Sequence, residues 1–307
     1  MFRNLCLIVS ALFLAAPAAR ADALATSWKQ SGPSNTRVIL ESGKLKHAGS
    51  NRAGVQIRLD GGWWTYWRAP GTSGVPPHFD WSGSTNLSVP PEMIWPLPVR
   101  AVAHGEELNL YRNEIVFPLE FKPVDPRLPV TLKLKLTYGV CRNMCVPATV
   151  EHEIVIRSSS SDAISSEANI RLISVYSGRQ PTADPLSTGF EIREVWESLS
   201  GRTTQLGMRI AGLNRARKQL VLVEGRNIFQ ASEITPMPLA DEHESILMVS
   251  LGKQRDIEKL TGKRLRITIV DGQRALEQVW VVGTQASSAT GTGLTPISAS
   301  PSDRPQP

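Results

Sequence analysis

Short runs that alternate apolar and polar residues, separated by glycine and proline, fill residues 38–156. In residues 131–138 leucine alternates with lysine or threonine, and residues 55–59 and 150–156 repeat the period of two. Such a period places the apolar side chains on one face of an extended strand, whereas a helix needs a period near 3.6. We therefore predict a mainly β fold whose first domain, residues 22–157, is an antiparallel β-sandwich.

A second strand-rich region follows, and we predict a second, mostly β domain over residues 186–283. Its apolar runs lie at residues 206–210, 220–223, 246–251, 265–270 and 275–282. The dipeptide Asp271-Gly272 indicates a turn between the last two runs. This region contains no cysteine.

The two regions are joined by residues 158–185, which begin with a serine run. Ile164, Ala168, Leu172 and Tyr176 then recur at intervals of four residues. This spacing predicts one amphipathic helix that joins the domains or packs between them.

Both ends of the chain are expected to lie outside the folded domains. Residues 1–21 have a basic start, a short apolar run and an Ala-Arg-Ala sequence before Asp22, the layout of a cleaved secretory signal peptide. No stretch reaches the roughly 18 to 20 apolar residues of a membrane span. Residues 284–307 are rich in Ser, Thr, Gly and Pro, which predicts a disordered tail. We expect an exported protein without direct membrane insertion after signal cleavage.

The charge of the chain is mildly basic, with a formal net value of +6 over 307 residues. Loss of residues 1–21 would remove Arg3 and Arg20 and leave +4, with the other basic residues scattered. Nucleic-acid-binding domains concentrate lysine and arginine into a patch or stripe. We therefore predict no nucleic-acid partner.

Signal cleavage would also remove Cys6 and leave Cys141 and Cys145 as the remaining cysteines. The alternating runs on either side predict a hairpin, with the pair on opposite sides of a three-residue tip and close enough for a disulfide. Arg142 would favour a thiolate on Cys141, and a hairpin tip would admit the sulfur of a partner. We predict that this pair is the catalytic centre of a thiol-disulfide exchange protein that needs no organic cofactor.

Two other interpretations of the pair stay open. A structural staple is one, although closing a loop of about five residues contributes only on the order of 2 kcal/mol. A Cu(I) site in a copper-tolerance protein is the other, because Met144 lies between Cys141 and Cys145, and sulfur ligands suit Cu(I). His104 and His152 could approach such a site. At its predicted inward position, however, His152 is more simply a hydrogen-bonded core histidine.

Five of the eight tryptophans lie between residues 63 and 95. On a strand, Trp64 and Tyr66 face one way while Trp63 and Trp67 face the other, so part of the set must lie outside a one-sided core. We expect the rings mainly to fill the sandwich and support nearby loops. A glycan-binding surface beside a structural disulfide is the alternative.

A series of ordered motifs adds a family resemblance. The motifs are WTYWR at residues 64–68, PGTSGVPP at 70–77, WPLP at 95–98, LYR at 110–112, VFPL at 116–119, YGVC at 138–141 and CVP at 145–147. Together they resemble the N-terminal periplasmic domain of the thiol:disulfide interchange reductase DsbD, in a group that includes periplasmic parts of suppressor-of-copper-sensitivity proteins. The resemblance covers residues 28–156.

This resemblance implies an immunoglobulin-like sandwich that relays electrons from a membrane-embedded thiol-disulfide reductase to periplasmic thioredoxin-like proteins. It favours Cys145 as the sulfur that forms mixed disulfides. It also aligns residues 102–105 with a loop that, in the family, covers the disulfide with an aromatic side chain. The candidates for a supporting or lid role are therefore Arg142, His104 and Tyr111. In the family the cysteines are further apart and the cap is aromatic. We therefore expect the Cys141–Cys145 bond of this chain to be the more accessible one.

Overall fold

The computed structural model describes residues 24–46, 48–71, 73–103, 105–157, 165–226, 228–253 and 259–284. The predicted signal peptide, the serine run, His104 and residues 285–307 lie outside these ranges. The described chain is mostly β with several antiparallel sheets, which confirms the predicted fold class. Within it, no helix has the length and apolar character that crossing a membrane requires.

The first sandwich consists of two sheets built from the strands that follow residue 28. These strands are β1 (Lys29–Ser31), β2 (Ser34–Leu40), β3 (Asn51–Leu59), β4 (Trp64–Gly71), β5 (His78–Asp80), β6 (Glu92–Met93), β7 (Val99–Ala103), β8 (Glu106–Arg112), β9 (Glu114–Phe121), β10 (Val130–Cys141) and β11 (Cys145–Ile156). One sheet has the order β1-β2-β3-β9-β6. The other has the order β11-β10-β4-β8-β7, with β5 paired to β10.

The alternating pattern of the sequence becomes the two faces of β10. Leu132, Leu134 and Leu136 are buried, while Lys133 and Lys135 between them are exposed. The leucines join side chains of the opposite sheet in one continuous core. Full burial of one leucine is worth about 1.5 to 3 kcal/mol, so this pattern strongly disfavours a one-residue shift of register.

The remaining elements are two helices and the strands of the second sandwich. They are α1 (Glu167–Ser177), α2 (Pro185–Thr188), β12 (Glu191–Ser200), β13 (Thr203–Ala211), β14 (Gln219–Gly225), β15 (Ile228–Ile234), β16 (Met237–Pro238), β17 (Glu244–Lys253), β18 (Arg264–Asp271), β19 (Arg274–Val281) and β20 (Gly283–Thr284). Their sheets have the orders β16-β17-β13-β12-β20 and β15-β14-β18-β19. The predicted turn at Asp271-Gly272 joins β18 to β19.

The predicted helix is present as α1, and it packs on the first sandwich, mainly against β9. Its buried residues are Asn169, Ile173 and Tyr176. Of the four residues that the apolar spacing predicts for this helix, Tyr176 is buried, Leu172 is half-buried, Ala168 is exposed and Ile164 lies outside the described residues. The difference arises because the amide of Asn169 donates to two backbone carbonyls of the first sandwich, a polar contact that apolar periodicity does not detect.

The two sandwiches meet at β4. Leu222 and Ala231 of the second sandwich belong to the hydrophobic core of the first. Beside them, Arg68 of β4 forms ion pairs with Glu224 of β14 and Glu277 of β19. β4 also carries Trp64 and Tyr66, which pack beside Cys141. The contact between the two sandwiches is therefore close in sequence to residues that surround the cysteine pair.

Candidate functional site

Cys141 and Cys145 form a disulfide at the end of the β10–β11 hairpin, with their Cα atoms 4.1 Å apart. The two strands pair continuously from Val130 opposite Ile156 to the cysteines themselves, which form the last pair of the ladder. The tip is closed by a hydrogen bond of 3.0 Å from the Arg142 amide to the Met144 carbonyl. The cysteines therefore lie on opposite sides of a three-residue tip, as the sequence predicts.

The two cysteines differ in their exposure. Cys141 is 1% exposed because β10 lies between β11 and β4, where Cys141 pairs with Trp64. Cys145 begins β11, the edge strand of the sheet, and is exposed. Thiol-disulfide exchange depends on access to the attacked sulfur. Cys145 is thus the accessible end of the bond.

Tyr66 contacts both sulfurs from the neighbouring strand. Its hydroxyl donates a hydrogen bond to Cys141 Sγ at 3.1 Å and lies 3.6 Å from Cys145 Sγ. Tyr66 is 2% exposed and belongs to a small hydrophobic cluster that is separate from the sandwich core. This cluster contains Trp64, Tyr66, Leu108, Leu110 and Cys141. A hydroxyl in this position favours the thiolate form of Cys141 once the disulfide is opened.

A depression opens beside the disulfide. Its walls include Trp64, Tyr66, Ser73, Ala103, Glu106, Leu108 and residues 141–145. Ser73 Oγ donates to the Glu106 carboxylate, which links the loop after β4 to the first residue of β8. At Gly74, where φ is +123°, a Cβ atom would lie 2.5 Å from the Tyr66 ring. The loop can therefore cover that ring only with glycine at this position.

The predicted supporting residues lie in different places. Arg142 and Met144 are exposed at the hairpin tip and line the depression, where Met144 is 68% exposed. Tyr111 belongs to the sandwich core on the other side of the sheet, and its hydroxyl donates to the Pro96 carbonyl at 2.6 Å. Burial raises the pKa of Tyr111 well above its usual value. His104 falls outside the described residues, although its neighbour Ala103 lines the depression.

His152 is the hydrogen-bonded core histidine that the strand pattern predicts. It is 2% exposed, and its ring nitrogens lie 3.0 Å from Thr26 Oγ1 and 2.8 Å from Thr36 Oγ1. Burial, with a smaller effect of the Lys29 charge, lowers the pKa of His152 to about 4. Across the described ranges, His, Cys, Asp and Glu do not form a group of three or more that could hold a metal ion.

The tryptophans divide between the two faces of the sheet, as predicted from the alternation. Trp67 and Trp81 are buried in the sandwich core, and Trp95 packs edge-on against Phe117 at 5.1 Å. Trp64 instead packs beside the disulfide with Tyr66. The alternation alone puts Trp64 and Tyr66 on one face but does not assign them to the site. The missing information was the pairing of β4 with β10.

Comparisons with known proteins find one matching family and a similar solved structure. Residues 39–156 match the family described as thiol:disulfide interchange protein DsbD, N-terminal. Among solved structures, the chain is similar to the N-terminal periplasmic domain of ScsB from Proteus mirabilis, with 19% sequence identity and a TM-score of 0.61. That similarity covers 85% of this chain and 99% of the other, so the shared fold extends into the second sandwich. A comparison with curated protein sequences gives no match. The resemblance indicated by the motifs is thus confirmed: residues 39–156 of the first sandwich match the DsbD N-terminal domain family.

Proposed function

We propose that this protein is a periplasmic thiol-disulfide interchange protein. Its Cys141–Cys145 pair passes electrons from a membrane-embedded thiol-disulfide reductase to periplasmic thioredoxin-like proteins. The observation that carries the proposal is the asymmetry of the disulfide: exposed Cys145 is bonded to buried Cys141, whose sulfur accepts a hydrogen bond from Tyr66. The family match over residues 39–156 supports the same chemistry.

In the reductive half of the cycle, a donor thiolate attacks Cys145 Sγ, and the bond between the two cysteines breaks. Its electron pair goes to Cys141 Sγ, which leaves as a thiolate stabilised by the Tyr66 hydroxyl. A second thiolate of the donor then attacks the donor sulfur of the mixed disulfide and releases Cys145. The donor departs as a disulfide, and two electrons remain on Cys141 and Cys145.

The oxidative half runs in the opposite direction. The Cys145 thiolate attacks the disulfide of an acceptor and forms a mixed disulfide with one acceptor sulfur. Cys141 then attacks Cys145 Sγ, reforms the internal bond and releases the acceptor as a dithiol. Sulfur atoms carry the electrons throughout, so the reaction requires no organic cofactor.

Single-cysteine variants test this cycle. We expect Cys141→Ser and Cys145→Ser each to abolish electron transfer to an oxidised thioredoxin-like protein, because one sulfur must be attacked and the other must resolve the adduct. Cys141→Ser retains the exposed sulfur and should accumulate mixed disulfides with partners, detected by non-reducing gels and mass spectrometry. Cys145→Ser is the matched control and should accumulate few. Normal transfer by either variant, or adducts mainly on Cys141, would contradict the proposal.

A further inference from the structure

The strand that carries Tyr66 is also the strand on which the second sandwich docks. Pairing of β4 with β8 runs regularly up to Tyr66 opposite Leu110 and resumes only at Gly71 opposite Leu108. Residues 67–70 therefore bulge from the ladder immediately after Tyr66. Bulges redirect side chains and are common beside active sites. Here the bulge contains Arg68, which reaches the second sandwich.

Arg68 is held by two carboxylates of the second sandwich. Its Nε donates to Glu224 Oε1 at 3.0 Å and its Nη2 to Glu224 Oε2 at 2.8 Å, and Nη2 also donates to Glu277. Thr268 Oγ1 fixes the same Glu277 carboxylate at 2.8 Å. The Arg68 guanidinium lies over the Trp67 ring, 4.2 Å from its centroid. This planar, two-pronged contact fixes orientation as well as distance.

The contact between Arg68 and the two carboxylates is charged and largely buried. The side chains of Arg68 and Glu224 are each only 16% exposed. Burial alone would lower the pKa of Arg68, but the carboxylates of Glu277 and Glu224 outweigh it, and the pKa is raised. A buried pair of this kind tolerates little displacement, because either partner left alone would be an uncompensated charge.

We propose that Arg68 is a positioning residue for Tyr66, through which the second sandwich holds the redox site in its reactive geometry. Only the fully buried Trp67 separates the two residues. The β4–β8 ladder is interrupted directly after Tyr66. The ion pairs of Arg68 with Glu224 and Glu277 supply the support that regular strand pairing lacks there. Tyr66 Oη is thereby kept within 3.1 Å of Cys141 Sγ. This inference rests on the proposed function, since it assigns the second sandwich a role in the same exchange reaction.

A double-mutant cycle in the full chain tests the inference. The rate at which dithiothreitol reduces the Cys141–Cys145 bond is measured for the wild type, Arg68→Lys, Tyr66→Phe and the double variant. Lysine keeps the charge of Arg68 but loses the two-pronged contact. Arg52→Lys is the matched control, because Arg52 pairs with Glu41 at 2.9 Å and with Ser177 of α1 at 2.8 Å, and neither partner belongs to the second sandwich.

We expect Arg68→Lys to slow reduction several-fold when Tyr66 is present and to have no further effect when Tyr66 is replaced by Phe. Arg52→Lys should leave the rate unchanged. Equal slowing by Arg68→Lys in both backgrounds, or no slowing in a folded variant, would overturn the inference. If Arg68→Lys does not fold, Glu277→Gln takes its place, because it keeps the Glu224 contact.

The proposed function fails in a different way. A wild-type protein that is reduced by dithiothreitol but exchanges with no thioredoxin-like protein would refute the relay, while the cycle would still decide the role of Arg68.

Discussion

The two faces of the sheet β11-β10-β4-β8-β7 use the same residue type for different purposes. On the inner face, the hydroxyl of Tyr111 donates to a backbone carbonyl, and that of Tyr138 pairs with Ser34 Oγ at 2.7 Å. On the outer face, the hydroxyl of Tyr66 donates to Cys141 Sγ. All three tyrosines are buried. Burial with a satisfied hydroxyl therefore does not distinguish the structural tyrosines from Tyr66, for which we propose a functional role, whereas the chemical nature of the partner does.

The two faces also differ in how they are covered. The inner face packs against the other sheet of the sandwich in one large core. Among the described residues, the outer face carries the small cluster around Trp64, Tyr66 and Cys141, with a loop across the Tyr66 ring. Stability should therefore depend on the inner face and exchange chemistry on the outer face.

The largest expected effect concerns the inner face and its buried histidine. The pKa of His152 is about 4 in the folded protein and near 6.5 when exposed, so the unfolded chain binds the proton more readily. The stability that neutral His152 contributes is present above pH 6.5 and is lost as the pH falls towards 4, by about 3 kcal/mol. Urea unfolding of the wild type at pH 7 and pH 4 measures this loss.

The matched variant for this prediction is His152→Gln, which keeps a polar side chain but does not titrate. Its free energy of unfolding should fall less between the two pH values than that of the wild type. Its disulfide should be reduced at the wild-type rate, because His152 lies in the inner core. The same pH dependence in both proteins would show that His152 does not carry the effect.

Opening the disulfide should have a smaller effect on stability. A loop of about five residues contributes only on the order of 2 kcal/mol, and neither cysteine belongs to the inner core cluster. The reduced protein should stay folded and melt cooperatively at a slightly lower temperature. Thermal melts with and without reductant, with alkylation to confirm the redox state, provide the measurement. Unfolding upon reduction would return the pair to the role of a structural staple.

Removal of single hydroxyls separates the two faces directly. Tyr66→Phe should slow reduction by a small thiol about tenfold, because a hydrogen bond to a charged group is worth about 1.5 kcal/mol. Tyr111→Phe should leave the rate unchanged and lower stability by about 1 kcal/mol through loss of its hydrogen bond to the Pro96 carbonyl. Stopped-flow reduction kinetics and urea unfolding of both variants make the comparison. Similar reduction rates for Tyr66→Phe and Tyr111→Phe would contradict the assignment of the exchange chemistry to the outer face.

The smallest effect is expected at the rim of the depression. His104→Phe would place a phenyl ring in residues 102–105. It should slow attack by a small reductant a few-fold, since Ala103 and Glu106 on either side line the depression. Val99→Phe is the control, because it adds an exposed ring at the far end of β7. Equal reduction rates for wild type and His104→Phe would show that this segment is no lid.

Much of the fold follows from local sequence pattern. The alternation in β10 and β11 predicts the hairpin, its inner face and the position of the cysteines, because a strand's period of two is a local property. By contrast, β12, with its interspersed charges, and β15 carry weak alternation, so the sequence pattern does not predict them. Their positions depend on pairing with β13 and β14.

The site was predictable only in part, because its key contact is not local. Cys141 and Cys145 are neighbours in sequence, so their bond could be expected from spacing. Tyr66 lies 75 residues before Cys141, and it reaches the sulfur because Trp64 of β4 pairs beside Cys141 of β10. No periodicity specifies which strands become neighbours. The ion pairs of Arg68 with the second sandwich cannot be predicted from the sequence pattern for the same reason.

The central claim is that exposed Cys145, rather than buried Cys141, is the reacting sulfur, and the order of alkylation in the reduced wild-type protein tests it most directly. The protein is treated with a brief, substoichiometric pulse of iodoacetamide at neutral pH under native conditions, and the labelled peptides are quantified by mass spectrometry. The account predicts that singly labelled molecules carry the label predominantly on Cys145. Equal labelling of the two cysteines, or an excess on Cys141, would contradict it.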